Sequence, residues 1–401
     1  MLSKKWFTLF ALAFAQLLAL AVWFSASAVV PLLTDEWGLV PGQVAWLTMT
    51  VQIGFVVGAL VSTLLNLADR LPSRYMLPAS AILAGLATAF IPLFEASYAF
   101  TLVLRFLTGF FLAGVYPVGM KLMATWTKTE RGLAIGLLVG ALTIGSALPH
   151  LLNIFGDLTR WEPVMWLSAA LAISGGIIGF IFVKEGPYAV KSPPFDWRQI
   201  GYILRDRDVM SANFGYLGHM WELYAMWAWI SLFLLDSFAQ SGIDAFWVGP
   251  ITFAVIAIGG LGSLLAGRLA DHFGRTRTTI VSLSVSSLCA ISIGFFFGAS
   301  LWFLVPIALI WGFAIVADSA QFSAAVSELA PQEYIGTALT LQTSLGFLLT
   351  LFTIRMVPPL QAAFGWRYAF MFLAIGPIIG IWAMFRLYQS PASLKCANGN
   401  R

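Results

Sequence analysis

The sequence predicts an all-α membrane protein: twelve transmembrane helices in two six-helix halves, with both termini cytoplasmic. Three observations carry that expectation. Of 401 residues, 60% are hydrophobic and only 10% charged, and the mean hydropathy is +0.87. The apolar residues fall in long unbroken runs, and the second half of the chain repeats features of the first.

Composition excludes several classes at once. A soluble domain carries about 25% charged residues, because a water-facing surface needs them. An outer-membrane barrel alternates polar and apolar residues along each strand, whereas these runs are continuously apolar. The net charge of +4 is spread along the chain, with no Lys/Arg cluster suited to nucleic acid. Cys289, inside an apolar run, and Cys396, near the end, provide no disulfide framework. No Walker sequence is present, so ATP is not expected to drive the protein directly, and no cofactor is expected.

A helix crosses the bilayer with about 20 apolar residues. Runs bounded by charge, Pro or Gly lie at about 6–33, 44–66, 76–94, 98–122, 132–155 and 163–183. They resume at about 210–235, 246–267, 278–298, 301–326, 335–357 and 367–388. The first run follows Lys4-Lys5 and contains Ala26-Ser27-Ala28, which imitates a signal peptide with its cleavage site. It is about twice the length of a signal peptide's apolar core, so it reads as a retained first span.

Between the two sets, residues 184–208 hold Pro187, Pro193, Pro194 and dense charge. There Trp197, Ile200 and Leu204 sit at helical spacing among charged residues, a pattern for a short interfacial helix. The expected organisation is a first bundle 1–183, a cytoplasmic linker 184–208, a second bundle 209–390 and a cytoplasmic tail 391–401.

Orientation follows from the positive-inside rule. With the N-terminus inside, of the 22 Lys and Arg residues only Arg160 and Arg367 fall outside. Arg105 and Arg355 lie within spans, and the other eighteen are cytoplasmic. Trp37, Trp46, Trp161, Trp247, Trp302 and Trp366 mark the outer interface. This orientation suits the inner (plasma) membrane of a cell, with lipid as the immediate partner and a monomer as the expected state.

The repeat is visible residue by residue. Leu67-Ala68-Asp69-Arg70 recurs as Leu269-Ala270-Asp271-His272, a shift of 202 residues (67 to 269). Trp161 corresponds to Trp366, a shift of 205 (161 to 366). An even number of helices per half makes such repeats parallel, related by an axis along the membrane normal.

The segment from Gly267 to Arg277 reads Gly-Arg-Leu-Ala-Asp-His-Phe-Gly-Arg-Thr-Arg. It matches the cytoplasmic signature between the second and third helices of a half in the major facilitator superfamily, which the chain resembles over essentially its whole length. The resemblance implies a latch that stabilises the outward-open state. In it Gly267 lets helices close up, Gly274 makes the turn, and Asp271 pairs with a neighbouring helix's cation or N-terminus, beside Arg275 and Arg277. The first-half copy departs from the pattern: Leu65, Pro72 and Ser73 replace two glycines and an arginine, leaving Asp69, Arg70 and Arg74. Arg105 with Gly109 and Gly114 is similar to the family's buried-arginine motif. Gly132, Gly136, Gly140 and Gly145, ending at Pro149, resemble its antiporter motif without the Gly-Pro core.

Ionisable groups inside the spans are the functional candidates, since each costs several kcal/mol facing lipid. They are Arg105, His219, Glu222, Asp318 and Arg355. Glu222 lies about 13 residues into its span, roughly 20 Å deep, where a carboxyl is suited to carry a proton. His219, three residues earlier, shares its helical face and corresponds to Gln16 in the first half. Glu222, Asp318 and His219 are therefore the expected proton-coupling groups. Arg105 suits either an anionic solute or a structural lock on helices 1 and 2, and Arg355 near the outer end suits snorkelling. Two candidate ligands without cysteine make no metal site.

Arg105, Gln16, Trp23, Gln52, Tyr116, Tyr216, His219 and Gln342 make up the expected solute pocket, with Asn213 nearby. Trp227 and Trp229 read as lipid-facing or packing residues. The resulting expectation is a secondary active transporter that works by alternating access. Import of a small, anionic solute by proton symport leads, and proton-coupled efflux of drugs or metabolites is the alternative. An intramembrane enzyme lacks a nucleophile–base pair, and a channel would not need a doubled latch.

Overall fold

The computed structural model describes residues 2–65, 67–93, 97–127, 131–152, 160–188, 197–331 and 334–400. The first six long helices are α1 (Leu2–Leu20), α2 (Pro41–Leu64), α3 (Ser73–Ala89), α4 (Tyr98–Leu112), α5 (Arg131–Leu152) and α6 (Glu162–Phe182). The next six are α7 (Arg207–Ser241), α8 (Val248–Phe273), α9 (Arg275–Ser292), α10 (Leu301–Ala317), α11 (Ile335–Phe364) and α12 (Ile375–Gln389). No strand occurs among the described residues. Helices are the expected answer here, because lipid offers no partner for backbone N–H and C=O groups.

Ten helical segments among the described residues are long and apolar enough to cross a membrane. The sequence predicts twelve; α1 and α7 are helical at the other two predicted positions but fall outside the ten. Asn213, His219 and Glu222 lower the hydropathy of α7. The segment expected to form an interfacial helix is helical at Trp197–Arg205. It meets the start of α11, where the Thr337 hydroxyl donates to Gln199 at 3.0 Å and Tyr202 packs on Tyr334.

Local chemistry sets the helix ends. The Asp206 carboxylate accepts from the backbone N–H groups of Asp208 and Val209 at 2.9 and 3.0 Å, capping α7. Gly274, with φ of +91°, makes the turn from α8 into α9 that the sequence assigns to it.

On one side of the linker, α2 packs on α4, α3 on α6, and α1 on α5 and α6. On the other, α7 packs on α11 and α12, α8 on α10, and α9 on α12. The extensive contacts across the linker join α5 to α8 and α2 to α11. A Cβ on Gly140 would stand 3.2 Å from the Gly260 carbonyl oxygen, so α5 and α8 meet backbone to backbone.

The repeat extends to single bonds. Trp161 donates its indole N–H to Glu36 at 2.9 Å, and Trp366 donates its own to Asp236 at 2.6 Å. Two helices also break at matching places. After Leu112, α4 is interrupted and restarts as Tyr116–Ala124; α10 is interrupted at Asp318 and restarts as Ser319–Leu329. The restarts are shifted by 203 residues (116 to 319), within the range read from the sequence repeat.

Candidate functional site

Both restarts open on a cavity of about 60 Å³ between the two sets of helices. Tyr116 and Met120 reach it from Tyr116–Ala124, Leu142 and Thr143 from α5, and Tyr216, Tyr224 and Trp227 from α7. Ser319 and Ser323 come from Ser319–Leu329, and Thr343 and Phe347 from α11. A larger crevice of about 310 Å³ between α8, α9 and α10 is almost wholly apolar and opens past exposed Val281 and Ile310 on the outer surface of the bundle.

One wall of the central cavity is an aromatic plug. Trp23 packs on Phe55, Phe347 and Tyr224 with ring centroids 5.1, 5.6 and 5.9 Å apart, and Phe24 meets Trp227 at 5.8 Å. Trp227, expected on the lipid side or in packing, is fully buried in the cavity lining, packed on Phe24 and Tyr224, and its indole N–H has no partner.

Beside the cavity, His219 Nδ1 stands 2.8 Å from Asp318 Oδ1, both side chains being buried. Asp318 sits between Val316 and Ser319, which line the cavity, so the pair lies one residue behind the wall. One turn further, Gln321 accepts from Arg275 at 2.8 Å. Arg275 grips Glu328 with two parallel bonds of 2.7 and 2.6 Å, the geometry that makes arginine–carboxylate pairs strong.

The structure therefore separates residues that the sequence grouped. Tyr116 and Tyr216 line the cavity, and Trp23 belongs to its plug. Gln16 does not reach it: its amide donates to the Leu138 carbonyl at 3.2 Å, tying α1 to α5. Gln52 pairs with the Thr350 hydroxyl, joining α2 to α11. Gln342 accepts from Ser323 at 3.1 Å and so stands behind the wall.

Glu222, expected as a proton-coupling group, stands apart from the cavity. Its carboxylate is buried between α7, α9 and α10, accepting from Ser286 and from Trp311 at 2.6 Å each, and it does not line the cavity. Sharing a helical face with His219 did not give it the same neighbours.

Arg105 stands outside the cavity lining too. Nε donates to the Leu47 carbonyl at 3.1 Å, and Nη1 donates to Val22 and Ser25 at 2.8 and 3.1 Å. Nη2 donates to the Trp23 carbonyl. Residues 21–24 form the turn that interrupts the first apolar run, and a turn in lipid leaves carbonyls that need donors. Arg105 donates to two of them, Val22 and Trp23. Arg355 is exposed and lies beside Gly42 of α2.

In the cytoplasmic motif, Gly267 is buried and Gly274 turns the chain. Asp271 is half exposed and stands 3.6 Å from Arg275, a cation at the N-terminus of the neighbouring helix α9. Arg277 donates to the Tyr388 hydroxyl at 3.0 Å. In the first-half copy, Arg70 is exposed and Arg74 bonds the exposed Tyr75 hydroxyl at 2.7 Å, while the Asp69 side chain lies outside the described residues. No group of three His, Cys, Asp or Glu side chains poised for a metal occurs among the described residues.

Sequence reasoning missed Tyr224, Thr143, Ser319, Ser323 and Thr343 as lining residues, and Ser286, Trp311 and Glu328 as partners of charge. The repeat could have found one of them, Ser319, from the expected Tyr116. A shift of 203 carries Tyr116 to Ser319 and Met120 to Ser323 (120 to 323), all four lining the cavity.

The family model of the Major Facilitator Superfamily matches residues 12–354. The chain belongs to this superfamily. No curated protein matches its sequence. Among solved superfamily structures, it resembles the proton:xylose symporter XylE bound to 6-bromo-6-deoxy-D-glucose, with a TM-score of 0.70 and 16% identity over 94% of this chain and 95% of that one. It also resembles a bacterial homolog of the human lysosomal transporter Spinster. The inward-facing, unoccupied form gives a TM-score of 0.71 and 15% identity over 98% of this chain and 97% of that one. The inward-facing, occupied form gives 0.69 and 15% over 95% and 96%. At these identities the likeness shows the superfamily fold: a membrane protein of the transporter architecture.

Proposed function

We propose that this superfamily member is a proton-coupled symporter that carries a small solute across the inner (plasma) membrane by alternating access. In this reading twelve helices span the bilayer, both termini are cytoplasmic, and residues 1–183 and 209–390 rock as two halves of a monomer about the central cavity. The observation that carries it is the cavity itself, built from both sides of the linker at two matched helix breaks, with the His219–Asp318 pair directly behind its wall. Discontinuous helices at mid-depth are where carriers of this kind place solute and ion.

Asp318 ends one half of α10 and Ser319 opens the other, so a proton taken by the pair changes the charge beside the solute wall. That adjacency supports the pair, rather than Glu222, as the coupling site. The state described is closed at the end expected to face outward, where Arg355 lies beside Gly42 and the His150 carbonyl lies beside Gly249.

The test is transport in reconstituted vesicles. With an alkaline interior, right-side-out vesicles should accumulate a panel solute saturably, acidify inside as they do so, and lose the gradient to an uncoupler. Accumulation in inverted vesicles alone, or flux that never saturates, would overturn the proposal.

A further inference from the structure

We infer that the solute of the central cavity is uncharged, a compact molecule carrying several hydrogen-bonding groups, and that net charge of either sign is rejected at the wall. The inference rests on the cavity being the solute site and specifies what that site accepts. It replaces the anionic solute expected from Arg105.

Among the described residues, the lining contains no Asp, Glu, Lys, Arg or His. The buried charges nearest to it already have partners. Arg105 is held by carbonyls of α2 and of the turn after α1, and Asp318 faces His219 at 2.8 Å. Glu222 holds Ser286 and Trp311, and Arg275 holds Glu328. An ion entering this space would give up its hydration without meeting an opposite charge, and burying an unpaired charge is far costlier than burying a hydrogen-bonded neutral group.

Two features could still favour an anion, and both are offset. The helices Tyr116–Ala124 and Ser319–Leu329 begin at the wall, and helix N-termini attract negative charge. Pro117, however, has no N–H to offer in the first turn of one. Asp318 immediately precedes the other and brings a carboxyl of its own.

What the wall does offer is hydroxyl groups and one unanswered donor. Tyr116, Tyr224 and Ser319 each carry a hydroxyl that can donate or accept as it rotates, and the Thr143 hydroxyl, which donates to the Val139 carbonyl at 2.9 Å, can still accept. Trp227 is fully buried in the lining, and its indole N–H has no partner. A buried donor without an acceptor is costly, so an acceptor atom of the solute is its natural complement. Hydroxyl-rich walls flanked by aromatic faces suit a neutral molecule that presents donors and acceptors together.

The test pairs neutral probes with charged counterparts of nearly the same shape: xylitol with xylonate, and lactamide with lactate and protonated 1-amino-2-propanol. Binding to the full-length protein in nanodiscs is read by thermal shift and by equilibrium dialysis, in the wild type and in Tyr116→Phe and Thr143→Val. The expected result is binding of a neutral probe at least tenfold tighter than its charged counterparts, weakened in both variants. A charged probe that binds as tightly as its neutral partner, and is weakened by the same variants, would overturn the uncharged class while leaving the cavity as the solute site. Absence of binding across the panel, or binding indifferent to both variants, would overturn the cavity reading and this inference with it.

Discussion

Trp311 donates its indole N–H to Oε1 of Glu222 across 2.6 Å, and Ser286 holds Oε2 at the same distance. One carboxylate on α7 thereby ties α9 and α10 together behind the cavity. A glutamine keeps both links, because its carbonyl accepts from Trp311 and its amide donates to Ser286. Glu222→Gln should therefore retain proton-driven accumulation within about threefold. Glu222→Ala strands two buried donors, at about 1–3 kcal/mol each, and should lower thermal stability clearly. Loss of coupling in the stable glutamine variant would return the proton to Glu222.

His219 and Asp318 give the opposite expectation. Asn at 318 preserves the shape of the side chain but cannot exchange a proton. Asp318→Asn should reduce uphill accumulation at least tenfold while solute counterflow continues, and it should flatten the pH dependence of uptake. Equal losses in counterflow and accumulation would mean that the pair holds the fold or the solute and does not couple.

Arg105→Ala should act on stability before affinity. The Trp23 carbonyl loses its donor, the Val22 carbonyl keeps Ser25 alone and the Leu47 carbonyl keeps its own helix, and a buried carbonyl without a partner costs about 1–3 kcal/mol. Expression and melting temperature should fall, while the surviving folded protein binds solute within about threefold of wild type. A stable variant with severely weakened binding would restore Arg105 as a solute ligand.

The fold was readable because a bilayer forces long apolar runs into helices, and the sequence displays those runs directly. The site was readable only in part. Tyr116 and Tyr216 stand out as polar aromatics within spans, but nothing near Arg105 announces its partners. The turn at 21–24 reads Ala-Val-Trp-Phe, without Gly or Pro to mark a break. Its carbonyls become acceptors only through tertiary packing of α2 and α4 against it. The same holds for Glu222 and His219. Helical spacing placed them side by side, while their different partners come from α9 and α10, which periodicity along α7 cannot see. The repeat held more than was drawn from it, since the break in α4 predicts one at the matching point of α10.

The tail gives a prediction outside the membrane. The Ala397 backbone N–H donates to Glu328 at 3.2 Å, and the Asn400 amide donates to the Asp271 carbonyl at 2.9 Å, which fastens residues 391–400 under the ends of α8 and α10. Burial, and then the Glu328 carboxylate, push the Cys396 thiol up to about 12. A thiol so far above its ordinary value of about 8.5 stays protonated at pH 8, and maleimide reacts with the thiolate. Cys396 should therefore label slowly in the native protein. Glu328→Ala removes both the neighbouring negative charge and the tail's anchor, so the thiol should fall toward its ordinary value. Labelling at pH 8, located by mass spectrometry of the C-terminal peptide, should then quicken at least tenfold. A wild-type rate already equal to that of an unfolded control would show that the tail is not fastened to Glu328.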